Sequence, residues 1–221
     1  MAKIGDVVKV SPSSNKLKDE KCWLLNLDMV EQQTGNVIEY NYVPADALNG
    51  SIVQFDSDVV LYSKLRPNLN KVVLPDKDGY ATSEMLPLRP ETNRLCKEYL
   101  AVYLRSENFV SWAASKTAGA KMPRLGTKEL MSAEIPLPPL DEQRHIAYLF
   151  SKVSNLISLR KQQLTKLDEL VKSRFVELFG DYIQRSNKVF LEYVYTECLS
   201  VKLIKYGGIT SQNGYWAIII I

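Results

Sequence analysis

Over the first ninety residues the apolar positions come in short β-branched or alternating runs, Val7 to Val10, Ser51 to Phe55, Val59 to Tyr62 and Lys71 to Leu74. Turn-forming residues separate them: Asn49-Gly50, Asp56 to Asp58, Arg66 to Asn68 and Asp76 to Gly79. Strands that follow one another through turns, with no helix between them, pair mainly antiparallel. The spacing then changes. From about Thr92 to Ala114, Leu95, Tyr99, Val102 or Tyr103, Phe109 and Trp112 recur near the helical period behind a Pro-Glu-Thr-Asn start, which predicts a helix. The expected fold class is α+β, with a mixed, largely antiparallel first domain over residues 1–140.

In the stretch EIPLPPL (134–140) three prolines exclude a helix and impose an extended segment, a natural boundary. Beyond it, Asp141 is an N-cap candidate, and no Gly or Pro occurs before Gly180, so one long helix is expected over 141–180 with Gly180 as its stop. Phe150, Ile157, Leu164, Val171 and Leu178 fall seven apart, with Ile146, Val153 and Leu167 on the companion positions and Arg160 and Arg174 interrupting that second series. This is a coiled-coil seam, and a seam needs a partner helix. Residues 181–221 restart strand-like patterning at Val189 to Val194 and Leu199 to Ile204 and end on Trp216 to Ile221. They read as the start of a truncated second domain, an altered reading frame, or a tail with an ordinary edge strand.

Composition narrows the class. With 46% hydrophobic and 24% charged residues in 221, and 10 Gly and 10 Pro, the chain is expected to fold as a globular protein. Cys22, Cys96 and Cys198 form no CxxC pair and there is a single histidine, so neither a disulfide framework nor a Cys/His zinc site is expected. No signal-like or membrane-spanning run is visible, which makes cytoplasm the expected compartment and a membrane an unexpected partner. The net charge of +3 hides a sorting: residues 1–59 carry five basic and nine acidic side chains, whereas 60–130 carry twelve and seven. Local basic surface attracts phosphate, although a solvated mixed face explains excesses of this size as well.

Catalytic signatures are missing. There is no GxGxxG, GxxxxGK[ST] or GxSxG stretch, and His145, beside Glu142 and Arg144, has no nucleophile implied nearby. Asp6 with Asp19 and Lys21 fits loosely the two-carboxylate-plus-lysine set of Mg²⁺-dependent nucleases, a permissive pattern that chance supplies. The binding signals are better. Tyr62 to Lys71 ends a strand in a turn carrying Lys64, Arg66, Asn68 and Lys71, donors suited to phosphates or to the acceptor edge of guanine. Lys116 to Arg124 is a second basic loop, in which Lys116, Thr117, Lys121 and Arg124 surround Gly119, whose freedom of φ lets backbone approach closely. Either loop alone could be a solvated turn.

The order of segments resembles the specificity subunit of Type I restriction-modification systems, in a half-size or truncated form with one target recognition domain and one spacer helix. The stretches that carry the resemblance are DVVLYSKLRPNLNKVV (58–73), GYATSEMLPLRP (79–90), TAGAKMPRLGTKEL (117–130) and above all IPLPPLDEQRHIA (135–147), running into a heptad helix that ends FVELFGD (175–181). The resemblance implies a non-catalytic subunit, without a cofactor of its own, that reads one half of a bipartite double-stranded DNA target. It implies partners too: modification subunits carrying S-adenosylmethionine and a restriction subunit. In such subunits two antiparallel spacer helices pair as a ruler, so one helix here implies a homodimer or pairing with another specificity chain. A Mg²⁺-dependent nuclease and a coiled-coil scaffold without DNA contact are the alternatives.

Overall fold

The computed structural model describes residues 1–12, 21–48, 50–119 and 122–183, the last five without side chains. The strands expected at 189–194 and 199–204, with the rest of the tail and Cys198, lie outside the described residues. In chain order the elements are β1 (Ala2–Lys3), β2 (Val8–Val10), β3 (Lys21–Leu25), β4 (Tyr42–Pro44), β5 (Ile52–Phe55), β6 (Val60–Ser63), β7 (Val72–Val73), β8 (Gly79–Thr82), β9 (Met85–Pro90), α1 (Lys97–Leu104), α2 (Glu107–Ser115), α3 (Thr127–Ser132), β10 (Glu134–Ile135) and α4 (Leu140–Ile183). The chain divides into two units, residues 1–156 and 157–221, each taken by itself below.

Two four-stranded sheets make up the first unit, in the orders β2-β9-β6-β7 and β4-β3-β8-β5, beside the two-stranded pair β1-β10. Among the described residues every strand pairing is antiparallel except that of β3 with β8, so the fold is α+β with a mixed, largely antiparallel strand system. All four residues of β6 are buried, and successive side chains go to opposite faces. Val60 and Tyr62 join a core with Leu88, Leu95, Leu100 and Leu104 from β9 and the helical segment. Leu61 joins a second core with Trp23, Phe55 and Met85. A strand buried on both faces reads as a continuous apolar run, as VLY does.

The helix expected over 92–114 is two helices. Ser106 is extended and its Oγ accepts from the Phe109 backbone N–H at 3.3 Å, capping α2 and ending the α1 path at Leu104. The apolar spacing continues through this break because Leu104 and Phe109 serve the same core.

The proline-rich segment is extended as expected, with β10 at its start. Helix α4 then begins at Leu140, so Asp141 lies in the first turn, paired with Arg144 at 3.0 Å, and is not the N-cap. Nor does Gly180 stop the helix, which continues to Ile183; a single interior glycine costs only about 1 kcal/mol. At 1.5 Å per residue α4 is about 66 Å long. Its first turns are anchored by Gln143, which is fully buried. The Gln143 amide accepts from the Cys96 N–H at 2.9 Å and donates to the carbonyls of Arg94 (2.9 Å) and Pro138 (2.8 Å). That explains the glutamine in the PLPPLDEQ stretch: one side chain ties the extended segment and the start of α4 to the entrance of α1.

Among the described residues no helix is long and apolar enough to cross a membrane.

Candidate nucleic-acid interface

The two basic loops, more than forty residues apart in the chain, lie against each other. Leu65 and Arg124 form an antiparallel bridge, the Arg66 N–H donates to the Pro123 carbonyl at 2.8 Å, and the Leu125 N–H donates to the Lys64 carbonyl at 3.0 Å. The second loop closes on itself by a reciprocal pair between Ala118 and Arg124, at 3.1 and 2.9 Å. Gly119 permits that closure: its φ is +101°, and a Cβ there would lie 3.1 Å from the Met122 carbonyl oxygen. Lys64, Arg66 and Arg124 therefore sit at one seam between the loops. Lys116, exposed at the end of α2, begins the same loop, while Lys121 lies outside the described residues.

The first loop is held in an unusual shape. Arg66 and Asn70, at either end of the turn Pro67–Leu69, both have left-handed backbone, with φ of 49° and 51°. Conformations of this kind cost of order 1 kcal/mol for a non-glycine residue and persist only where their surroundings fix them. Asn70 is buried, and its side-chain amide donates to the Arg105 carbonyl (3.1 Å) and to Gln33 Oε1 (3.2 Å). Gln33 returns a hydrogen bond from Nε2 to the Asn68 carbonyl at 3.1 Å, and its backbone N–H donates to the Leu69 carbonyl, also at 3.1 Å. The Arg105 guanidinium donates to the Val72 carbonyl from Nε (3.2 Å) and Nη2 (2.5 Å), and burial pushes its pKa below the usual arginine value. Gly35, at φ +70°, packs so closely here that a Cβ would lie 1.8 Å from the Val72 oxygen. Thus the segment from Gln33 to Gly35 and the buried Arg105 brace the turn that presents Arg66 and Asn68.

Not every predicted residue reaches the surface seam. Lys71 turns inward: its ammonium donates to the Leu27 carbonyl at 2.5 Å, and burial lowers its pKa against the opposing pull of Asp28. The Thr117 hydroxyl is used by the Ala114 carbonyl at 2.9 Å, an end-of-helix contact. Asn68 is exposed and only its backbone carbonyl is engaged by the brace. Arg124 grips the carboxylate of Glu84, with Nε–Oε2 at 3.2 Å and Nη2–Oε1 at 2.9 Å. Glu84 was not among the expected site residues, although it lies in the GYATSEMLPLRP stretch; forty residues of sequence separate it from its partner.

Elsewhere, Asp6 lies in the turn Ile4–Asp6 and Lys21 opens β3, while Asp19 is outside the described residues. Among the described residues no three His, Cys, Asp or Glu side chains gather to hold a metal ion.

Along α4 the expected seam is exposed. Phe150, Val153, Ile157, Leu164, Leu167, Val171 and Leu178 each leave more than half of their surface to solvent, and Leu149, Leu156 and Leu170 widen the same stripe. Ile146 differs: it is partly buried and packs against the core of the first unit, where the opening turns of α4 bury Gln143 and Ala147.

Comparison with known proteins adds the family context. Residues 1–169 match the family model described as Type I restriction modification DNA specificity domain. The chain is 25% identical over 154 residues to the Type I restriction enzyme EcoDI specificity subunit of Escherichia coli, covering 68% of this chain and 34% of that one. It is 30% identical over 131 residues to the MjaVIII specificity subunit of Methanocaldococcus jannaschii, covering 59% and 30%. The crystal structure of the HsdS subunit from Thermoanaerobacter tengcongensis superposes with a TM-score of 0.60 at 21% identity, over 80% of this chain and 48% of that chain, a likeness of fold. The chain thus spans about a third of the length of these curated relatives.

Proposed function

Because the chain belongs to the Type I restriction modification DNA specificity domain family, we propose that it is a non-catalytic subunit that recognises one half of a bipartite sequence in double-stranded DNA. The observation that carries this reading is the meeting of the two basic loops, which gathers Lys64, Arg66, Arg124 and, at the loop's start, Lys116 on a surface whose backbone is fixed by hydrogen bonds between the loops. Lys64, Arg66 and Lys116 there attract the phosphate backbone. Donors held on rigid backbone discriminate between bases, because a loose donor spends its hydrogen-bond energy on becoming ordered. The braced turn gives Arg66 and Asn68 that rigidity.

On this reading the chemistry is done by separate modification subunits carrying S-adenosylmethionine and by a restriction subunit, in the cytoplasm where DNA is reached. The exposed stripe on α4 supports a homodimer in which two helices pair antiparallel and set the distance between two recognition domains. A two-fold assembly would read an inverted repeat with half-sites separated by about one DNA turn, ~34 Å.

The test is duplex binding by the full chain over a salt series, run beside a supercoiled plasmid with Mg²⁺. Binding that weakens steeply with salt and leaves the plasmid intact is the expected result. Cleavage would instead support a nuclease, and the absence of binding at low salt a scaffold.

A further inference from the structure

We propose that Glu84 and Arg124 act as a guanine-reading pair, in which Glu84 positions the guanidinium and Arg124 contacts the base; this rests on the DNA-recognition reading of the same surface. The pairing geometry points that way. Glu84 takes the side edge of the fork, Nε and Nη2, at 3.2 and 2.9 Å. Among the described residues nothing accepts from Nη1, so the end edge, Nη1 with the outer hydrogen of Nη2, keeps two parallel N–H donors. Guanine alone offers two adjacent acceptors, O6 and N7, in the major groove, and a fixed arginine fork matches them.

Charge separates this role from a phosphate contact. An arginine already paired with a carboxylate carries little net charge at the site, so its pull on phosphate is largely cancelled, whereas its hydrogen-bonding direction is sharpened. Both partners are also held from behind. The Arg124 backbone is bonded to Ala118 and bridged to Leu65, and Glu84 lies in the β8–β9 turn, where its carbonyl accepts from the Lys64 N–H at 2.9 Å. The side chains remain accessible, at 52% for Arg124 and 24% for Glu84.

The experiment uses the full chain and the duplex it enriches from a pool with randomised base pairs, with each guanine of that duplex replaced in turn by 7-deazaguanine, which lacks the N7 acceptor. The parent should lose about tenfold in affinity at one guanine, a loss of the size that one base-edge contact supplies. Arg124→Lys keeps the charge but not the fork. It should bind the pool as the parent does and lose both the preference for that guanine and the sensitivity to its replacement. Glu84→Gln should lower the ratio of selected to unselected affinity by about three- to tenfold, with the melting temperature kept. If the parent is indifferent to every replacement, the proposal falls. It also falls if Arg124→Ala weakens all duplexes alike with a salt slope about one unit shallower, the mark of a phosphate contact, or if Glu84→Gln leaves the ratio unchanged. A parent that enriches no sequence at all would overturn the recognition reading itself, a distinct result.

Discussion

Gln143→Ala removes three hydrogen bonds in one step, one accepted from the Cys96 N–H and two donated to the Arg94 and Pro138 carbonyls. Gln143 is fully buried, and each loss is taken at about 1 kcal/mol, the lower end of the cost of leaving a buried donor or acceptor unpaired. The sum is roughly 3 kcal/mol, which in a domain of this size lowers the melting temperature by roughly 6 to 12 °C. Calorimetry on the full chain reads it directly. Gln143→Glu sharpens the test, because the introduced carboxyl keeps the acceptor for Cys96 but sets an oxygen against two carbonyls. It can satisfy one of them only when protonated, so its pKa in the folded state lies above the ordinary glutamate value. The folded state then binds the extra proton more tightly than the unfolded chain does, so stability falls as pH rises from about 4.3 upward through the raised pKa. The variant should approach the parent near pH 4 and fall behind it at neutrality. An alanine variant that melts within about 2 °C of the parent, the range of a surface change, would refute the claim that this side chain secures the start of α4. So would a glutamate variant whose deficit is independent of pH.

Other outcomes follow from the same contacts. Gly35→Ala places a Cβ 1.8 Å from the Val72 oxygen at φ +70°; the loop must move, at about 2 to 5 kcal/mol from strain and overpacking together, and sequence preference should weaken more than pool binding does. Changing Ile157 and Leu164 together to Asp should convert a dimer to monomers in sedimentation at tens of micromolar, since each buried side chain of the seam contributes about 1.5 to 3 kcal/mol; a parent that is already monomeric would count against the homodimer. Lys64→Ala should reduce the salt slope of DNA binding by about one unit, whereas Lys71→Ala, whose ammonium is committed to Leu27, should leave the slope unchanged and lower the melting temperature instead.

How far the chain could be read without its structure depended on the range of the forces involved. Strands β5 and β6 were legible because their β-branched runs are bounded by turn residues, and α4 because its repeat persists over more than five turns. The break at Ser106 was hidden, since the apolar spacing of α1 runs on into α2 and the cap is one hydroxyl. Helix α3 has six residues, too few to show a period. For the site, glycine, proline and basic residues marked both loops, yet their meeting depends on the Leu65–Arg124 bridge, a tertiary contact. The inward turn of Lys71 and the docking of Ile146 were equally out of reach, because spacing says which residues share a face and not what covers it. Glu84, Gln33 and Arg105 carry no local signal; their roles arise from partners thirty-three to forty residues away.

The most direct measurement of the central claim is selection by the full chain, in moderate salt, from a pool of duplexes with randomised base pairs, followed by sequencing of the bound fraction. Recognition by a paired specificity subunit predicts enrichment of one defined sequence in two copies, inverted and about a DNA turn apart, with a guanine whose preference disappears in Arg124→Lys. A bound fraction as random as the input, at a salt concentration where the chain still holds DNA, would contradict it.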